Sequence, residues 1–68
     1  MIPLYSRVRI LTDRFSDLGI STGAVGTTIE DWGDGNFEID ISDSEGTTLA
    51  MFVAHESEFE LADGPPSS

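Results

Sequence analysis

The stretch Val25-Gly26-Thr27-Thr28-Ile29-Glu30-Asp31-Trp32-Gly33-Asp34-Gly35-Asn36-Phe37-Glu38-Ile39-Asp40-Ile41 decides the fold. Val25, Thr27 and Ile29 alternate with Gly26, Thr28 and Glu30, and Phe37, Ile39 and Ile41 alternate with Glu38 and Asp40. Side chains two apart share one face of a strand, so each half reads as a β-strand with one face toward a core. The glycine-rich break between the halves makes them a hairpin. A slip of one residue would exchange the two faces, so the apolar residues set the register. A three-residue loop of Gly33, Asp34 and Gly35 puts Trp32 opposite Asn36, Glu30 opposite Glu38, Ile29 opposite Ile39 and Thr27 opposite Ile41. A two-residue Asp34-Gly35 turn would set Ile29 against Asp40, and the pattern rejects it.

The same reasoning extends in both directions. Ser44, Glu45 and Gly46 read as a second three-residue loop, which sets Ile41 against Leu49, Ile39 against Met51 and Phe37 against Val53. Upstream, Val8 and Ile10 alternate with Arg7 and Arg9 in a first strand, followed by a polar stretch from Thr12 to Gly23 that is too long for a tight turn. Downstream, Phe59 and Leu61 flank Glu60 in a short last strand, reached through a single helical turn near Ala54 to Ser57. A strand, a long loop, three strands joined by tight turns and a short fifth strand are the order of an SH3-like barrel. The expectation is an all-β, small five-stranded SH3-like barrel over residues 1–62, with a disordered tail over 63–68 carrying Pro65 and Pro66.

Residues 7–61 resemble a family of short uncharacterised bacterial proteins, a domain of unknown function with an SH3-like fold. The resemblance rests on Gly23-Ala24-Val25-Gly26-Thr27, an acidic hairpin, and Gly46-Thr47-Thr48-Leu49-Ala50. Members of that family are often encoded beside putative nuclease toxins, so the resemblance implies an antitoxin or immunity-like role. It assigns no functional residue.

Charge narrows the partners. Acids outnumber bases 13 to 3 in 68 residues, for a net charge of −10. The bases are Arg7, Arg9 and Arg14, and every residue beyond Arg14 is either acidic or uncharged apart from His55. Such a field repels polyanions, which argues against direct binding of nucleic acid or an anionic membrane. With no cysteine, disulfides and thiolate metal sites are excluded. No apolar run approaches the ~20 residues of a membrane-spanning helix, and a cytoplasmic location is the default expectation.

Asp31 to Glu38 superficially resembles a calcium loop, but Gly33 and Gly35 stand where the third and fifth ligands belong. His55, the single histidine, lies near Ser57 and between acids, yet no second group orients it as a catalytic base, so it reads as a surface residue. The three arginines read as internal counter-charges. No enzyme, cofactor or metal is expected.

The registers instead turn Glu30, Trp32, Glu38, Asp40 and Phe52 away from the core, two aromatics among like charges. Three readings of that cluster stay open. Trp32 and Phe52 are covered by the long loop through Phe15 or Leu18, or by Tyr5; or the cluster binds a partner, as aromatic anchors ringed by charge do; or Phe52 and Ala50 join a weak homodimer of an otherwise monomeric protein. The preferred expectation is a protein-binding module whose face of Glu30, Trp32, Glu38, Asp40 and Phe52 takes a basic partner such as a nuclease toxin. The alternative is a housekeeping SH3-like interaction module for a peptide or larger assembly.

Overall fold

The structure, a computed structural model, describes residues 2–62; the expected disordered tail lies outside the described residues. Five strands, β1 (Arg7–Ile10), β2 (Val25–Gly33), β3 (Asn36–Ser42), β4 (Thr48–His55) and β5 (Phe59–Leu61), form one antiparallel sheet in the order β4-β3-β2-β1-β5. The all-β, five-stranded architecture read from the sequence is the one the chain adopts. Beside the turn at Glu56–Glu58, close to where one was expected, a second 3-10 turn at Ser16–Leu18 folds the long loop.

Burial explains the curl of the sheet. Val8 and Ile10 of β1, Phe37, Ile39 and Ile41 of β3, Phe52 and Ala54 of β4 and Phe59 of β5 form one core with Phe15 and Ile20 of the long loop. Phe37 meets Phe59 edge-on with ring centres 5.8 Å apart, which brings the inner faces of β3 and β5 together. Phe15 stacks on Phe52 at 4.1 Å and closes the core beneath β4.

Two expected registers are corrected. Gly33 pairs with Asn36, so the β2–β3 hairpin turns on Asp34 and Gly35 alone, the turn that simple alternation rejected. Both residues have positive φ, 55° at Asp34 and 82° at Gly35, the type I′ geometry whose twist matches that of paired strands. Bulges at Trp32 and Ile29 then shift the pairing twice, which leaves Glu30 opposite Glu38 as expected but places Thr28, not Ile29, opposite Ile39. Ile29 is only half-buried, while Gly26 and Thr28 face inward. In the β3–β4 hairpin, Asp43 and Thr47 do bracket a loop of Ser44, Glu45 and Gly46. A bulge at Leu49 then shifts the strand, so that Ile41, Ile39 and Phe37 face Ala50, Phe52 and Ala54. Leu49, Met51 and Val53 therefore point outward. Because β4 is apolar on both faces, parity could not choose between them. The larger area of an aromatic ring makes Phe52 the better residue to bury.

The inward turn of β2 has steric and polar consequences. A Cβ on Gly26 would stand 2.5 Å from Ile41 Cδ1 and 2.8 Å from the Asp40 carbonyl oxygen. Only glycine lets β2 pass this close to β3. Thr28 is fully buried and polar, and its hydroxyl accepts from the Ser6 amide at 3.0 Å and donates to the Pro3 carbonyl at 3.1 Å. Its backbone carbonyl accepts from Tyr5 N and its amide donates to Ser6 O, so one residue ties down the N-terminal segment.

Two stability measurements follow. Gly26→Ala should lower unfolding free energy by about 1–3 kcal/mol in denaturant titration, the usual cost of forcing a methyl into a packed site. Thr28→Val keeps the shape but leaves the part-buried Ser6 amide without its acceptor, so a loss of roughly 1 kcal/mol is expected in the same assay.

Candidate functional site

The outer face of β2, β3 and β4 carries the candidate residues. Glu30 and Glu38 stand directly opposite each other across β2 and β3, and the next outward position of β3 is Asp40, opposite Thr27. Like charges in this arrangement destabilise a sheet. Trp32 is 60% exposed, and its Nε1 donates to Glu38 Oε1 at 3.1 Å, which holds the indole beside the paired carboxylates. Across β3 the same rows continue to β4: Glu38 is opposite Val53 and Asp40 opposite Met51. The Asp40 row also runs the other way through Thr27 to Arg7, which lines an open depression of about 390 Å³ with Asp40, Ser42 and Asp43.

Of the five expected face residues, the structure brings four together. Phe52 is corrected: it is buried at 8% exposure under Phe15, because the Leu49 bulge turns it inward. Covering by the long loop, one of the three readings of the aromatics, is realised for Phe52. Trp32 stays exposed. In place of Phe52 the face gains Leu49, Met51 and Val53, exposed by 62%, 52% and 44%. Sequence alternation found these residues but assigned them to the core. The one available signal was that Ala50, Phe52 and Ala54 form an equally apolar second face.

The remaining polar groups hold the fold together at the β4–β5 corner. His55 Nδ1 accepts from the Ser57 amide at 3.1 Å and lies 2.9 Å from the Ser57 hydroxyl, while Glu58 Oε1 accepts from the His55 amide at 2.9 Å. These side chains converge, but as a reciprocal cap on the turn. The Glu58 carboxylate faces the Arg14 guanidinium through two hydrogen bonds, one of 2.7 Å from Nη2 and one from Nε. It therefore serves the backbone and Arg14, not the imidazole. Arg14 also lies over the Phe15 ring at 4.3 Å, which stacks guanidinium, Phe15 and Phe52 in sequence. Arg9 pairs with Glu60 at 2.8 Å, so two of the three arginines act as internal counter-charges. Among the described residues, no group of three or more His, Asp or Glu is placed to hold a metal ion, and no helix is long and apolar enough to cross a membrane.

Comparison with known proteins gives one match. The family model of a domain of unknown function, DUF4926, matches residues 4–61. The chain belongs to this family. The matched span begins at the N-terminal segment that Thr28 ties down and ends with β5, so the family unit and the folded unit coincide. No curated protein and no solved structure matches the chain.

Hydrogen bonding from Arg14 holds the Glu58 carboxyl below its ordinary range against a partial desolvation that would raise it; the His55 amide and the Arg14 charge add to the lowering. A carboxyl more acidic in the folded than in the unfolded state stabilises the fold fully above the ordinary carboxylate range, and that contribution disappears as pH falls through the lower folded value. Glu58→Gln keeps an oxygen for the His55 N–H but loses the charge that Arg14 pairs with, so it should be less stable than the parent at pH 7 by up to roughly 1 kcal/mol. Melting curves from pH 7 down to pH 2 should show the two proteins converging.

Proposed function

We propose that this protein is a non-enzymatic, acidic protein-binding module that takes a basic surface of a partner protein, in the antitoxin or immunity-like role of neutralising a nuclease toxin. The observation that carries this reading is the Glu30–Glu38 pair, opposed across two strands and set beside an exposed Trp32. Opposed carboxylates cost the fold, and an indole 60% exposed contributes little to it beyond its hydrogen bond to Glu38. A cationic partner relieves both: it supplies the missing counter-charge and covers the ring. Nuclease active sites are electropositive because they receive phosphates, and carboxylates on a rigid sheet can stand in for those phosphates. The net charge of −10 steers such a partner from a distance.

The test begins with co-purification from the native host at low salt and identification of what is retained. A basic protein is expected, and any nuclease activity it has should fall on adding the module. Association should slow as the Debye length shrinks from ~30 Å at 0.01 M salt to ~8 Å at 0.15 M. Glu38→Lys should act mainly on the association rate, while Trp32→Ala should speed dissociation and cost about 2 kcal/mol as a lost anchor. Glu38→Lys turns the repulsion with Glu30 into an attraction, which offsets the exposed hydrogen bond lost from Trp32, so it should melt no lower than the parent. If both variants remain folded and bind the identified partner as the parent does, the face is not the interface.

A further inference from the structure

The two edges of the sheet differ in a way that folding does not require. β5 is three residues long with Glu60 at its centre, and Glu60 is paired with Arg9. Short, charged edges are the usual protection against unwanted strand pairing. β4 is eight residues long, and Thr48 to Ala54 contains no charged residue in a chain with 13 acids. Among the described residues, no strand pairs with its outer side.

The direction of the unpaired backbone groups follows from the ladder. In an antiparallel sheet, a residue sends its N–H and C=O together to one side, and successive residues alternate. Thr28 bonds to Ser6 and Tyr5, away from β3, so Thr28 and Ile39 are a non-hydrogen-bonded pair and Ile39 bonds toward β4. Phe52 consequently bonds to Ile39, and Met51 and Val53 send their backbone groups to the open side. An independent contact agrees: the Val53 carbonyl accepts from Arg14 Nη2 at 3.5 Å, outside the sheet. Arg14 closes the edge at that carbonyl and leaves the Met51 N–H and C=O and the Val53 N–H. The residues with open backbone groups are also those with exposed apolar side chains.

Resting on the reading of the protein as a module for basic partners, we propose that the outer edge of β4 pairs with an extended basic segment of the partner protein. Lys or Arg side chains at alternate positions of that segment lie over Met51 and Val53 and end on Asp40 and Glu38. An added strand would stand two strand spacings from β3, roughly 10 Å, in line with the rows Met51–Asp40 and Val53–Glu38. Long cationic side chains suit that geometry because their aliphatic stems cover apolar neighbours while their heads reach charge. Backbone pairing then supplies affinity and the alternate side chains supply selectivity. A second copy of this chain fits the edge poorly, because it would add another net charge of −10 and bring no cations to Glu38 and Asp40.

The test uses a capped ten-residue peptide of alternating Lys and Thr, followed by fluorescence anisotropy, against a block peptide of the same composition and an alternating peptide N-methylated at two central Lys positions, the residues that in antiparallel pairing stand opposite Met51 and Val53 and turn their N–H groups to β4. The alternating peptide should bind tightest, and N-methylation, which removes backbone donors without changing charge, should weaken it about tenfold. Met51→Pro should abolish the preference among peptides while leaving the melting temperature near that of the parent, since this N–H serves no bond within the sheet. Amide exchange at Met51 and Val53 should slow on binding. Equal binding of the three peptides, or none, overturns strand pairing; if Glu38→Lys still weakens the natural partner, the broader reading survives that failure. Loss of partner binding in Glu38→Lys and Trp32→Ala but not in Met51→Pro likewise overturns the edge alone. A dimer in sedimentation that Met51→Pro dissociates assigns the edge to a second copy and overturns the proposal.

Discussion

The inward row of β3, Phe37, Ile39 and Ile41, is the constraint to which the rest of the molecule adjusts. β3 has partners on both sides and keeps strict alternation along its length, so its three apolar side chains have only one face to occupy. Neither neighbour can follow it with regular pairing. β2 leaves its tight turn in a register that would set Ile29 against Asp40, and the bulges at Trp32 and Ile29 bring Thr28 to Ile39 instead. β4 leaves its own loop in register with Leu49 inward, and one bulge turns Phe52 to the core. Each bulge gives up local pairing and gains a face that fits.

The chemistry of the outer surface is a consequence of those adjustments. Turning Phe52 inward frees Leu49, Met51 and Val53 to face solvent, and the bulge at Ile29 lets Thr28 turn inward while Glu30 stays outward opposite Glu38. Carboxylates, an indole and an apolar edge strand thereby share one side of the sheet. The opposite side is closed by the long loop, whose Phe15 covers Phe52 while Arg14 reaches the Glu58 carboxylate at the β4–β5 corner. Arginine suits this junction because a planar guanidinium can stack on a ring and bind a carboxylate at two points together.

An acidic surface with an unprotected edge also carries a hazard, since an open apolar strand invites pairing with other copies. The chain's own charge opposes that outcome: bodies of net charge −10 repel as they approach, while a cationic segment is drawn in. Charge therefore does at long range what Lys or Pro on an edge strand does locally, and it discriminates by sign.

By itself the sequence determined the number and order of the strands, the loop at Ser44 to Gly46, the inward row of β3, and the Glu30–Glu38 opposition, because alternation and turn chemistry are local properties. It also showed that cysteine chemistry is absent and that acids dominate beyond Arg14. Only the tertiary structure decided which faces of β2 and β4 are buried. A bulge adds one residue without any compositional mark, and β4 is apolar on both sides, so the decision rests on volume: Gly26 lies where a Cβ would collide with β3, and Phe52 fits beneath Phe15. The candidate face inherited that division. Its carboxylates were legible because a three-residue loop and a two-residue turn followed by a bulge at Trp32 give the same Glu30–Glu38 pairing, whereas Met51 and Val53 came to the surface through a packing choice made across the core.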